Sequence, residues 1–101
     1  MAHLAEQPRI LRKSRLVVSN ECGLHLRAAA MLSKLAESID AQLTIQFGIQ
    51  QVDARSIMGL LSLCLSKGSP ICALAEGPQA DEMIHAVEDL FAHGFYETAV
   101  S

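Results

Sequence analysis

The 101-residue sequence has no tryptophan, one tyrosine and three phenylalanines, so any core it builds must be aliphatic. Half of its residues are apolar, and a chain of about 100 residues can bury enough surface to fold as one domain without a metal or disulfide staple. Charge is present but unorganised. Eight Lys and Arg stand against eleven Asp and Glu, with a net charge of −3 and neither a basic stripe nor an acidic tail. That pattern carries no electrostatic attraction for nucleic acid or an anionic lipid surface, so neither is expected as a partner. No run approaches the ~20 apolar residues of a membrane span. Residues 1–14 lack the continuous apolar stretch of a signal peptide or anchor. These absences predict a soluble, cytoplasmic protein with no membrane insertion, and a monomer is expected. Cys-x-x-Cys pairs are also missing: Cys22, Cys64 and Cys72 are an odd set that cannot pair fully within one chain. Apolar neighbours around Cys64 and Cys72 suit small, reduced core residues in a reducing compartment.

What is present is a series of short periodic segments. Residues 1–14, with Pro8 and a mixed-charge run, show no period and are expected to form a flexible extension. Arg15 to Asn20 is β-branched and reads as a strand. Glu21-Cys22-Gly23 breaks it, and Leu26 to Ser38 follows as a helix with Leu32, Leu35, Ala36 and Ile39 at helical spacing. Ala41 to Phe47 alternates cleanly, with Ala41, Leu43, Ile45 and Phe47 on one face and Gln42, Thr44 and Gln46 on a wet one. Gly48-Ile49 suits a two-residue hairpin leading to a short strand, Gln50 to Asp53.

Arg55 to Ser66 is apolar around much of its circumference, which fits a short helix or a buried strand; Ser56 would cap the helix. Lys67-Gly68-Ser69 closes it, Pro70 to Glu76 is a further strand, and Gly77-Pro78 turns the chain. Asp81 and Glu82 occupy the first turn of a last helix, where negative charge suits the dipole. Ala80, Ile84, Val87 and Phe91 form its buried stripe, Gly94 stops it, and 95–101 are a tail. The order β-α-β-β-α-β-α predicts an α+β domain over 15–94: a four-stranded, mostly antiparallel sheet with three helices on one face.

His25 lies between a strand-ending glycine and the first turn of a helix. Neutral imidazole is a nucleophile, and an unperturbed imidazole is mostly neutral near pH 7. The free N–H groups of a helix's first turn can receive phosphoryl oxygens, with the positive end of the dipole behind them. Arg27 offers a planar fork to the same oxygens, and Gly23 lets the chain turn sharply over those amides. Even so, a lone histidine near a glycine is more often a cap or packing residue, so local chemistry leaves both readings open. His3, His85 and His93 sit beside no comparable helix start; His93 suits a helix C-terminus. Cys22, near a helix N-terminus, could have a lowered pKa and a redox role, or be incidental.

Gly23-Leu24-His25-Leu26-Arg27-Ala28-Ala29 resembles the histidine motif of the HPr phosphocarriers, usually written G-L-H-x-R-P-A. Arg55-Ser56-Ile57-Met58-Gly59-Leu60-Leu61-Ser62-Leu63 resembles that family's serine-bearing segment, and Ser66-Lys67-Gly68 and Ala75-Glu76-Gly77 match its later turns. The resemblance spans 15–94 in the family's order and spacing. It implies an open-faced β-sandwich of the HPr type, in which His25 accepts phosphate at Nδ1 from phosphorylated enzyme I, itself charged by phosphoenolpyruvate. His25 then passes the group to a IIA-type acceptor, with Arg27 assisting and no metal, ATP or other cofactor in the relay. The chain would thus be a carrier rather than an enzyme, serving sugar uptake or its regulation. By the same resemblance Ser56 is a candidate target of an ATP-dependent HPr kinase, as well as a helix cap, and its phosphate would act by blocking partner docking.

Leu26, Arg27 and Ala30 match the family's docking residues on the first helix, and Ile57, Met58 and Leu61 match them on the second. A short helix apolar on several faces cannot bury all of them, so an exposed patch is expected, with Leu60 and Leu63 in the core. Two departures stand out. Ala28 replaces the motif proline, and Gly48-Ile49 replaces the usual Asn-Gly hairpin. Alanine is a good helix former, so the helix should persist, with a looser start. Competing readings are an interaction protein of this fold that regulates a kinase or transcription factor, and a small α/β ligand-binding domain. The first would be marked by loss of the histidine. The second needs Gly-rich loops or a polar pocket set, and the sequence has neither.

Overall fold

The computed structural model describes residues 10–97. Four strands, β1 (Leu11–Val17), β2 (Gln42–Phe47), β3 (Gln50–Asp53) and β4 (Pro70–Glu76), form one sheet in the order β1-β4-β2-β3. All three strand pairs are antiparallel. Helices α1 (Leu26–Ser38), α2 (Ile57–Ser62) and α3 (Ala80–Ala92), and a closing 3-10 turn Gly94–Tyr96, complete the element order.

The alternation read in β2 places Leu43 and Ile45 fully inside, and Ile71, Ala73 and Ala75 on β4 extend that inner face. The small alanines let the helices come close. Onto them pack Ala28, Ala29, Leu32 and Ala36 of α1, Leu60 of α2, and Ala80, Met83, Ile84, Val87, Leu90 and Phe91 of α3. Burying these stripes is what stabilises a core with so few rings; each large aliphatic side chain contributes roughly 1.5–3 kcal/mol. Phe47 pairs with Gln50 across the two-residue Gly48-Ile49 turn, and Gly48 supplies the positive φ (61°) that a II′ turn needs at its first central residue.

Three expectations need correction. The first strand runs from Leu11 to Val17 rather than from Arg15 to Asn20. Leu11–Ser14, read as the end of a flexible extension, pair with Glu76–Ala73 of β4. Polar residues there hid the strand because its inward side chains reach α3 rather than oil: Ser14 Oγ donates to Glu88 (2.7 Å) and Arg12 Nε to Asp81 (2.5 Å). The rest of the proposed extension, residues 1–9 with His3, lies outside the described residues. Second, the segment 55–66 is helical only over Ile57–Ser62. Cys64 adopts a positive φ (54°), turning the chain so that Leu63 and Leu65 are buried while Cys64 is exposed. Cys64 is therefore not a core residue, and Cys72 is only half-buried. Third, the tail predicted from 95 begins with structure. Phe95 is fully buried and packs edge-on against Phe91 (centroids 5.0 Å apart), which docks the end of the chain onto the domain. Residues 98–101 of that tail lie outside the described residues.

Candidate functional site

Residues 18–25 are held by backbone bonds to the segment after α2. Gly68 N donates to Val18 O (2.7 Å), Val18 N to Ser69 O (3.0 Å) and Leu24 N to Leu65 O (3.1 Å). Asn20, buried, braces the loop by donating Nδ2 to Gly23 O (2.7 Å). Gly23 has φ 67°, and a Cβ there would lie 2.5 Å from Leu65 O and 2.8 Å from Ser66 Cα. Only glycine fits both demands.

This loop delivers His25 to the N-cap of α1 in an extended conformation (φ −88°, ψ −177°). Its carbonyl accepts from Ala29 N (2.8 Å), but its side chain does not cap the helix. The first-turn N–H groups of Leu26, Arg27 and Ala28 consequently find no acceptor among the described residues and are free for an anion. Ala28 is fully buried and α1 begins at Leu26, so the helix starts intact without the motif proline.

The two nitrogens of the His25 ring differ. Nε2 is buried, lacks an aligned hydrogen bond, and lies 3.4 Å from Glu97 Oε2, within ion-pair distance. Among the described residues Nδ1 has no hydrogen-bond partner and is not one of the buried unpartnered atoms, so none of them closes it off from solvent. Arg27 extends from the first turn of α1, its guanidinium donating to Phe95 O (3.4 Å) and to Met31 Sδ (3.3 Å). The site is thus an accessible imidazole nitrogen, open helix amides and a cation, brought together around one turn of chain.

Glu97 was invisible in the sequence reading because it fell in the presumed tail, 72 residues after His25. Its Oε1 accepts from Cys22 N (3.3 Å). The Cys22 side chain, and then its amide, hold the Glu97 carboxyl below the usual carboxylate range. In return, the hydrogen bond and charge of Glu97 push the Cys22 thiol up. An activated thiolate at Cys22, which a helix N-terminus would favour, is therefore opposed by the adjacent carboxylate. Of the other histidines, His93 caps the end of α3 and stacks on Tyr96 (4.8 Å), while His85 is exposed.

Ser56 is the N-cap of α2, and its Oγ accepts from Gly59 N (2.9 Å). Ser33 Oγ donates to Arg55 O (2.8 Å), tying the start of α2 to α1. Leu26 and Met58 are exposed (65% and 78%), Ala30, Ile57 and Leu61 are half-buried, and Leu60 and Leu63 are core.

The family model described as the PTS HPr component phosphorylation site matches residues 12–93. The chain belongs to the HPr family. Among curated HPr-type relatives, the phosphocarrier protein HPr of Cupriavidus necator is 38% identical over 80 residues, covering 79% of this chain and 90% of that one. The phosphocarrier protein NPr of Shewanella violacea is also 38% identical, over 73 residues, covering 72% and 80%. The crystal structure of HPr-C-His from Thermoanaerobacter tengcongensis superposes with a TM-score of 0.81 at 34% identity, covering 86% of this chain and 98% of that one. The chain is therefore an HPr-family phosphocarrier of the phosphotransferase system, with the family's open antiparallel sheet and three helices. Among the described residues no helix is long and apolar enough to cross a membrane.

Proposed function

We propose that this protein carries a phosphoryl group on Nδ1 of His25. The observation behind this reading is the asymmetry of the ring: Nε2 is buried against Glu97 while Nδ1 is open at an uncapped helix start. The Nδ1 lone pair attacks phosphorus as the donor's P–N bond breaks, and the phosphoryl oxygens settle on the α1 amides with Arg27 alongside. The donor is phosphorylated enzyme I, charged by phosphoenolpyruvate, and the acceptor is a IIA-type domain. Each partner docks on Leu26, Ala30, Ile57, Met58 and Leu61, an apolar patch whose exposed methionine can adapt to different surfaces. The protein works in the cytoplasm as a monomeric carrier and needs no metal or cofactor of its own.

Ser56 is the regulatory position. Its hydroxyl is exposed and stands beside the docking patch, so a phosphate added by an HPr kinase would place charge where partners bind. A regulatory branch is the second reading, because the NPr relative matches at the same identity as the HPr relative. Incubation with enzyme I and labelled phosphoenolpyruvate tests the main reading. The label should be acid-labile and base-stable, and absent from His25→Ala; label that persists in that variant would sink it. Transfer onward to sugar-specific or regulatory IIA domains then separates the two branches.

A further inference from the structure

We infer that Glu97 is a positioning residue that fixes the tautomer of His25, holding the ring proton on Nε2 so that Nδ1 presents a lone pair. This rests on the reading of His25 as the phosphoryl carrier and adds to it the group that selects the reacting nitrogen.

The arrangement is built from both sides. Glu97 Oε2 lies 3.4 Å from the buried Nε2, within ion-pair distance, and Nε2 has no aligned hydrogen bond to any described residue that would compete with it. Glu97 Oε1 is meanwhile engaged by Cys22 N (3.3 Å), which fixes the carboxylate's orientation. The Glu97 side chain is itself only 15% exposed. Burial of Phe95 and the 3-10 turn Gly94–Tyr96 carry it back over the active loop. Cys22 depresses the Glu97 carboxyl, so it is ionised and can only accept. A buried ring nitrogen facing an acceptor-only oxygen is satisfied when it carries the proton, and which ring nitrogen holds the proton is set by the partner of the other. The other charged or titratable groups near the loop are Arg27 on α1, Cys22 and Glu21 before it, and Lys67, which pairs with Glu21; among the described residues none of these bonds to Nε2.

In the transfer step, the Nδ1 lone pair forms the new N–P bond while the donor's P–N bond breaks and its electron pair returns to the donor ring. No proton has to leave Nδ1. The Nε2 proton stays in place, and the positive charge that develops on the phosphorylated ring is balanced by the Glu97 carboxylate.

The test compares Glu97→Ala and Glu97→Gln. Glutamine is isosteric, but its amide oxygen is drawn to the Cys22 N–H, which turns its NH₂ towards Nε2. The ring must then accept at Nε2 and carry its proton on Nδ1, blocking the nucleophile. Nitrogen-15 NMR of the neutral ring should show Nε2–H dominant in the native protein, a mixture in Glu97→Ala and Nδ1–H in Glu97→Gln. Phosphorylation by enzyme I should fall most in Glu97→Gln, on the order of tenfold or more, as expected for a mis-set tautomer. A role in packing alone predicts the reverse, with the isosteric glutamine milder than alanine. The inference is overturned if the native ring carries its proton on Nδ1, if the three proteins share one tautomer, or if glutamine is the milder change. If the native protein takes no label while the tautomers move as stated, the carrier reading fails and the positioning role stands.

Discussion

At the scale of single residues, the site depends on Gly23 as much as on His25. Gly23 combines a positive φ with a Cβ position that runs into Leu65 O and Ser66 Cα. Gly23→Ala therefore meets backbone strain of about 1–3 kcal/mol in addition to a clash. Denaturant titration should show a loss of at least that size, and the phosphorylation rate measured on the remaining folded protein should also drop, because the loop that delivers His25 has moved. The closeness of His25 and Arg27 was legible in the sequence because they sit two residues apart in a compact motif. Glu97 was not, because its proximity to His25 comes from the burial of Phe95 and a short turn, and no local pattern encodes a contact across 72 residues. Cys64 misled for a related reason: its neighbours are apolar, yet a left-handed backbone conformation at that single position turns it outward.

At the scale of elements, helix caps separate structure from function. Ser56 closes the first turn of α2 through its bond to Gly59 N. Ser56→Ala should cost about 1 kcal/mol, while Ser56→Asp keeps a cap acceptor and should cost less. Thermal or urea unfolding of the two variants checks the ordering. α1 shows the opposite arrangement, with a cap residue whose side chain leaves the first-turn amides free. The closing turn has its own pH signature. Because the Glu97 carboxyl is held below the ordinary range by Cys22, its docking contributes fully above the pH at which a free glutamate ionises. That contribution is lost as the pH falls through the lower folded value. The hydrogen-exchange protection factor of the Cys22 amide should fall on acidification before those of the sheet amides do; a uniform fall would show that the turn does not undock separately. α1, α3 and β2 were readable from periodicity, whereas α2, apolar on several faces, was marked by its Ser56 cap and left open between helix and strand. β1 was missed over its first half because it is an edge strand whose inward residues, Arg12 and Ser14, make polar contacts with α3.

At the scale of the whole molecule, α3 packs on the sheet, and α1, α2 and the active loop are bonded to one another. Backbone bonds from Val18 and Leu24 to the segment after α2, and the Ser33–Arg55 bond, tie the active loop and α1 to the two ends of α2. The exposed Leu26 and Met58 would thereby hold a fixed relation to His25, as a carrier that must fit successive partners requires. Met58→Asp puts a charge on that patch at a residue that is 78% exposed. It should leave the unfolding midpoint within about 0.5 kcal/mol of the parent, yet weaken docking to enzyme I, read as a raised KM in the phosphorylation assay. An unchanged KM would remove Met58 from the patch.

The central claim is that Nδ1 of His25 carries the phosphoryl group. Phosphorus-31 and nitrogen-15 NMR of the protein charged by enzyme I and phosphoenolpyruvate tests it most directly. The account predicts a single phosphohistidine resonance with phosphorus coupled to Nδ1 of His25; coupling to Nε2, or a phosphoryl group on any other residue, would contradict it.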